Sequence, residues 1–291
     1  MNALSAPLIF VRGFGVFSEF GKNNSVKRWL TLILAAAIFL ASGVACARHD
    51  DVDALFERGN ACYLKKDYMG AIGAYEKIIA LEPEFPAAWM NWGASLVGLG
   101  RYDEAIEKIE KAVKYKKDYP EAWYNWGHSL GSLERHEEAI EKYKKSILYK
   151  NDCPEVWFNW AYSLAILGRY EEAIAKYEKA ILYKSDYADA WYNWGFILNR
   201  LSMHEEAIAK YEKAILYKSD YADAWCNWGH SLIVLGRYEE AIEKYKKTVK
   251  YKSDYAEAWF AWGLLLNELG KDKEAKEKLD KAKELGFKSP L

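Results

Sequence analysis

Ala122-Trp123-Tyr124-Asn125-Trp126-Gly127 returns unchanged 68 residues later as Ala190-Trp191-Tyr192-Asn193-Trp194-Gly195, and around both copies the same frame recurs every 34 residues. First tryptophans stand at Trp89, Trp123, Trp157, Trp191, Trp225 and Trp259, with a second three residues after each, at Trp92, Trp126, Trp160, Trp194, Trp228 and Trp262. This ladder takes twelve of the thirteen tryptophans, so it is a property of the architecture and not of composition. A fixed period of this length means one small unit copied and stacked.

The rest of the period identifies the unit. Gly93, Gly127, Gly195, Gly229 and Gly263 follow the first Trp by four residues, and Ala105, Ala139, Ala173, Ala207, Ala241 and Ala275 follow it by sixteen. Tyr143, Tyr177, Tyr211 and Tyr245 come four residues after the alanine. Small residues let two helices cross closely while Trp and Tyr fill the space beside them, so each unit reads as a helical hairpin. Gly100, Gly168, Gly236 and Gly270 fall where the first helix should end in a left-handed residue. Asp118 and Asp152, each two residues before a Glu-preceding proline, are expected to cap first helices. The second helices are expected to carry Glu and Lys at i,i+4 spacing on a solvated outer face.

The pattern W-x2-W-G-x2-L followed by A-x3-Y at this period resembles the tetratricopeptide repeat (TPR), whose general pattern is W-x2-L-G-x2-Y with a later A-x3-F and a late proline. Seven units are predicted, at 52–85, 86–119, 120–153, 154–187, 188–221, 222–255 and 256–289, within a solenoid spanning 48–291. The departures are a second Trp where the family usually has Leu, a late proline kept only at Pro83, and a first unit with Leu55 and Arg58 in place of its tryptophans. That unit is expected to be a degenerate cap. Glu171–Trp191 recurs without change as Glu205–Trp225, the mark of a duplicated unit. The resemblance implies an all-α, right-handed superhelical solenoid of helix-turn-helix units behind an N-terminal hydrophobic segment, with first helices lining the concave surface.

That N-terminal segment is a separate object. Lys27-Arg28 precede an apolar run from Trp29 to Leu40, then Ala41-Ser-Gly-Val-Ala-Cys-Ala47. The layout over 26–47 fits a secretory signal cleaved after Ala47. Counted to Ala47 the run is also long enough for a retained membrane anchor, and lipidation at Cys46 is a third alternative. Each places the repeats outside the cytoplasm, periplasmic or held at an inner membrane, with membrane contact only through residues 29–47 if they are retained. Residues 1–25 are foreign to a signal, and the expectation is that translation starts at Val26.

Net charge is −1 for the whole chain and −4 over 48–291, with both signs interspersed, so nothing resembles a nucleic-acid footprint. Cys62, Cys153 and Cys226 lie in different units without C-x-x-C spacing, and His49, His128, His136, His204 and His230 pair with no Cys or carboxylate at metal spacing. Nucleophile elbow, phosphate loop and dinucleotide fingerprint are absent. The expectation is a noncatalytic chain with neither metal nor cofactor.

Function is therefore expected on a surface. Directly after each first Trp come Met90, Tyr124, Phe158, Tyr192, Cys226 and Phe260; two after it come Asn91, Asn125, Asn159, Asn193 and Asn227; five after it come Ala94, His128, Tyr162, Phe196, His230 and Leu264. An amide offers donors and an acceptor to a peptide backbone whatever its sequence. The candidate groove is thus Asn91, Tyr124, Asn125, His128, Phe158, Asn159, Tyr162, Tyr192, Asn193, Phe196, Asn227 and His230. The competing reading is that the aromatics pack between units while Asn bonds locally. Glu121, Glu155, Asp189, Asp223 and Glu257 lie two before each first Trp, and no basic residue follows it, which argues against a carboxylate clamp and for a segment with apolar anchors and a basic flank. The predicted role is a scaffold for a protein or peptide ligand; the alternatives are a self-assembling structural protein and a regulatory subunit of an envelope enzyme.

Overall fold

The computed structural model describes residues 51–288, so the readings on 1–50, signal, anchor, lipid and start site alike, lie outside the described residues. Within them the chain forms α1 (51–64), α2 (Tyr68–Leu81), α3 (Pro86–Gly98), α4 (Tyr102–Tyr115), α5 (Pro120–Ser132), α6 (His136–Tyr149) and α7 (Pro154–Ile166). It continues through α8 (Tyr170–Tyr183), α9 (Ala188–Arg200), α10 (His204–Tyr217), α11 (Ala222–Val234), α12 (Tyr238–Tyr251), α13 (Ala256–Glu268) and α14 (Asp272–Glu284). No strand occurs among the described residues, and no helix there is long and apolar enough to cross a membrane.

Within a unit the hairpin closes where the small residues were expected. A Cβ placed on Gly127 would stand 2.6 Å from the Tyr143 ring and 3.2 Å from the Ala139 carbonyl oxygen; on Gly195 it would meet Tyr211 at 2.7 Å and the Ala207 oxygen at 3.2 Å. Tyr143, Tyr177, Tyr211 and Tyr245 are accordingly buried, as are Leu96, Leu130, Leu164, Leu198, Leu232 and Leu266 one turn along the first helices. Each hairpin turns on a positive-φ residue, near +70° at Gly100, Gly168, Gly236 and Gly270 and near +60° at Lys66, Glu134 and Ser202. The next N–H then reaches back to the buried leucine's carbonyl, as Arg135 does to Leu130 and Arg237 to Leu232 at 2.9 Å.

Between units the tryptophans set the joint. Every first indole N–H donates to the backbone carbonyl six residues earlier, Trp89 to Pro83, Trp123 to Lys117, Trp157 to Asn151, Trp191 to Ser185, Trp225 to Ser219 and Trp259 to Ser253, at 2.7–2.9 Å. Only a carbonyl is used, which explains why the late proline is dispensable after Pro83. The two tryptophans of a unit stack with ring centroids 5.4–5.7 Å apart and planes within 15°. A lysine of the second helix, Lys108, Lys142, Lys176, Lys210, Lys244 or Lys278, lies 3.6–4.9 Å from the centroid of the second ring.

Three local expectations need correction. Asp118 and Asp152 do not cap: the N-cap positions of α5 and α7 are Tyr119 and Cys153, neither with a side-chain bond to the helix backbone, because Pro120 and Pro154 occupy N1 and push the aspartates one residue outside the helix. The outer charge pairs run at i,i+3, from Arg101 to Glu104, Arg135 to Glu138, Arg169 to Glu172 and Arg237 to Glu240. Nor is the outer face wholly polar, since Leu148, Leu182 and Leu216 are 67–70% exposed at one register of α6, α8 and α10, where the flanking units have Lys114 and Lys250.

First helices of successive units touch one another (α3 with α5, α5 with α7, α7 with α9, α9 with α11), whereas each second helix packs on its own first helix and on the next. The first helices therefore line the tighter, inner side of the array. At the carboxy-terminal end Phe287 folds back to stack on Phe260 at 4.3 Å, and α14 buries only Ala275 and Ala282, the polar outer face expected of a terminal cap.

Two substitutions separate core from surface. Gly195→Val should cost about 1–3 kcal/mol through overpacking against Tyr211, with Ala tolerated better, since Ala161 holds this place in the fourth unit. Leu182→Lys should stay within about 0.5 kcal/mol of the parent. Urea unfolding checks both.

Candidate inner groove on the first helices

The three stripes beside the first tryptophans meet different fates. The aromatics that directly follow it are spent on packing: Tyr124 lies 6.3 Å from Tyr143, Phe158 lies 5.7 Å from Tyr177 and 5.0 Å from Tyr187, and Tyr192 lies 6.1 Å from Tyr211 and 4.9 Å from Tyr221. Burial pushes the Tyr124 and Tyr192 phenols up to about 12, so both stay protonated donors.

Four of the five asparagines, Asn91, Asn125, Asn159 and Asn227, tie one unit to the previous one, and Asn193 bonds within its own helix. Asn159 Nδ2 donates to Tyr124 Oη at 3.1 Å and to the Glu155 carbonyl at 2.8 Å, and Asn227 Nδ2 donates to Tyr192 Oη at 3.0 Å. Asn125 reaches Met90 Sδ at 3.7 Å, Asn91 reaches Asn60 Oδ1 at 2.9 Å, and Asn193 bonds the Asp189 carbonyl at 2.8 Å. Each bond uses the amide nitrogen, which leaves the oxygen as the group that Asn125, Asn159, Asn193 and Asn227 present.

The third stripe faces out. Tyr162, Phe196 and Leu264 are 44–45% exposed at one register of α7, α9 and α13. His128 and His230 hold the same register on α5 and α11, half-buried, and burial lowers both imidazole pKa values, so both are neutral at pH 7. His230 Nε2 lies 3.8 Å from Glu257 Oε1 and 3.9 Å from Cys226 Sγ. Burial pushes that thiol up to about 12, so the pair holds no thiolate at neutral pH.

The carboxylates before each first Trp differ from those outside. Glu104, Glu138, Glu172 and Glu240 are held by arginines, whereas Glu121, Glu155, Asp189 and Asp223 form no ion pair among the described residues. Asp223 accepts from Tyr255 Oη at 3.0 Å. The inner face keeps its negative charge. No group of His, Cys, Asp and Glu among the described residues is placed to hold a metal.

His128, Asn159 and Tyr162 come together in one cleft of about 750 Å³ between α5 and α7, with Gly131, His136 and Ile166 also in its wall. The sequence reading missed those last three. Gly131 and His136 were visible only as departures from the repeat, the histidine standing where Tyr102, Tyr170 and Tyr238 stand elsewhere.

A TPR repeat model matches residues 93–134, 161–202 and 229–270, and a tetratricopeptide repeat model matches 120–153 and 188–221, together more than half of the chain. The chain belongs to the tetratricopeptide repeat family. It is 36% identical over 64 residues to the TPR repeat-containing thioredoxin TTL4 of Arabidopsis thaliana; that stretch is 22% of this chain and only 9% of that protein. Among solved structures it is similar to a tetratricopeptide repeat protein of Parabacteroides merdae (15% identity, TM-score 0.60, 82% of this chain and 95% of that one). It is also similar to YrrB, described as a TPR protein with an unusual peptide-binding site (19% identity, TM-score 0.56, 68% and 98%). At these identities the likeness is one of fold. The TPR array makes this chain a scaffold for protein–protein interaction, with proteins as its partners.

The buried histidines of the TPR groove give a pH dependence whose sign is fixed. Their folded pKa values lie below the ordinary 6.5, so the unfolded chain takes up protons first, and stability present above pH 6.5 is lost as pH falls through the lowered values. Thermal midpoints should drop between pH 7.5 and 5.5, before the outer carboxylates titrate, and His128→Gln should flatten that slope. An unchanged slope would remove His128 from the account.

Proposed function

We propose that the first-helix face from α5 to α13 binds a peptide segment of a protein partner. The observation that carries this reading is the register of Tyr162, Phe196 and Leu264, large apolar side chains held almost half exposed in the fourth, fifth and seventh units, with His230 between them in the sixth. Rows of this kind on an inner face favour an extended or helical ligand with apolar anchors. Glu121, Glu155, Asp189 and Asp223, which have no basic partner among the described residues, favour basic residues beside those anchors, and the asparagine oxygens suit backbone N–H donors. YrrB offers a precedent for peptide binding on this fold. Catalysis has no support in the one Cys–His contact, whose thiol stays protonated. The location that Lys27-Arg28 and the apolar residues up to Ala47 favour is the cell envelope. Self-assembly by end-to-end stacking is disfavoured at the carboxy-terminal end, where Phe287 already covers Phe260.

An array of tethered 15-residue peptides varying in apolar and basic content, probed with the full chain, tests this. The Tyr162→Glu/Phe196→Glu variant should retain the fold and lose tenfold or more in affinity for the peptides selected. Leu182→Lys, on the outer face, should lose nothing. Equal loss in both variants, or none in either, would overturn groove binding.

A further inference from the structure

The repeats provide an internal comparison at the α5–α7 cleft. Asn199, near the end of α9, bridges three polar groups: its Nδ2 donates to Tyr211 Oη at 3.0 Å, its Oδ1 accepts from Ser231 Oγ at 2.8 Å, and His204 Nδ1 lies 3.2 Å from the same oxygen. Shifted by 68 residues, the tyrosine, serine and histidine are all present as Tyr143, Ser163 and His136, but the asparagine is Gly131. The three groups there have no amide between them and bond one another instead, the Tyr143 hydroxyl with Ser163 and His136 Nδ1 at 3.4 Å from Ser163 Oγ. Space exists for what is missing: a Cβ on Gly131 would meet Tyr143 Oη at 3.5 Å and Ser163 Oγ at 3.9 Å, ordinary contacts, and the cleft of about 750 Å³ opens here. Its wall runs from these groups to Asn159 and Tyr162 on the groove.

We propose that this cleft binds a carboxamide, the side chain of a glutamine or asparagine carried by the partner peptide, in the place that Asn199 fills from within the chain two units on. The assignment rests on the peptide-groove reading for the source of the amide, while the amide site itself stands on the Asn199 comparison. A carboxamide supplies a donor for Tyr143 Oη and an acceptor for Ser163 and His136 at once, which a carboxylate or an aliphatic side chain does not. Tyr162, Ile166 and Leu167, 45%, 55% and 37% exposed, form the apolar rim, so the anchor residue is flanked by apolar neighbours.

The test uses the full chain and two probes. Propionamide, the glutamine side chain without its backbone, is titrated into protein carrying labelled isoleucine methyls; the Ile166 signal should shift saturably in the parent. In Gly131→Asn, which rebuilds the Asn199 arrangement and should leave thermal stability equal or higher, that response should weaken tenfold or more. In Asn199→Gly carrying Val234→Ile, which places an isoleucine at the register of Ile166, that added signal should begin to respond. No saturable shift at Ile166, or one that survives Gly131→Asn, overturns the site. Peptides with Gln, Glu or Leu at a central position between leucines then test the source: preference for Gln that Gly131→Asn abolishes supports the anchor, and indifference to the central residue overturns it. Propionamide binding without any peptide retained would leave the amide site standing and sink the groove reading instead.

Discussion

The hydrogen bond from each first indole to the carbonyl six residues earlier is the constraint on which the array depends. It fixes the short connection between units, and with it the angle at which the next first helix leaves. The bond is exposed at Trp123, Trp191, Trp225 and Trp259 and part-buried at Trp89 and Trp157, so it acts by fixing the geometry of the connection. The parallel stacking of the second tryptophan and the lysine above it then close the outer side of the joint. Repeated six times, one bond determines the curvature that turns first helices toward one another.

Much of this was legible in the sequence because the repeat acts as its own alignment. Gly127, Ala139 and Tyr143 recur at fixed offsets, and a close helix crossing is the one physical arrangement that requires a missing Cβ, a small neighbour and a large ring together. What the sequence could not show was where an amide points. Asn159 and Tyr124 are 35 residues apart, and whether they meet depends on the rotation between units, a result of packing at the joint. The asparagine ladder therefore looked free to hold a ligand when its nitrogens are already engaged. Lysines were misread for a similar reason: Lys142 and Lys210 are ordinary surface residues by periodicity, and only the tilt of the second helix lays them on Trp126 and Trp194.

The same joint explains the division of labour among the three stripes. Residues directly after the first Trp fall into the seam between units, so their size serves stacking, as the Phe158–Tyr187 contact does. Residues two after it sit at the lip of the seam, and Asn91, Asn125, Asn159 and Asn227 bond across it. Residues five after it have turned past the seam altogether, and Tyr162 and Phe196 stay exposed although nothing in the fold uses their rings. An exposed aromatic gains little by its position, whereas the same residue in the seam gains close packing, so the third stripe is where a partner has the most to offer.

Regularity also gives meaning to its own violations. Where Ile233 takes the place of Asn199 one unit later, Tyr245 Oη is buried without a hydrogen-bond partner, which shows that the tyrosine hydroxyl depends on what stands at that position. Gly131 differs from Ile233 in leaving room beside polar groups, Tyr143, Ser163 and His136, that bond one another without a bridging amide. An apolar replacement closes the site and accepts the cost of an unpaired hydroxyl; a glycine keeps the polar groups accessible from the groove. Of the four residues that stand where the asparagine is lost, Val97, Gly131, Ala165 and Ile233, the glycine is the one that puts no side chain in the place a partner's amide can fill.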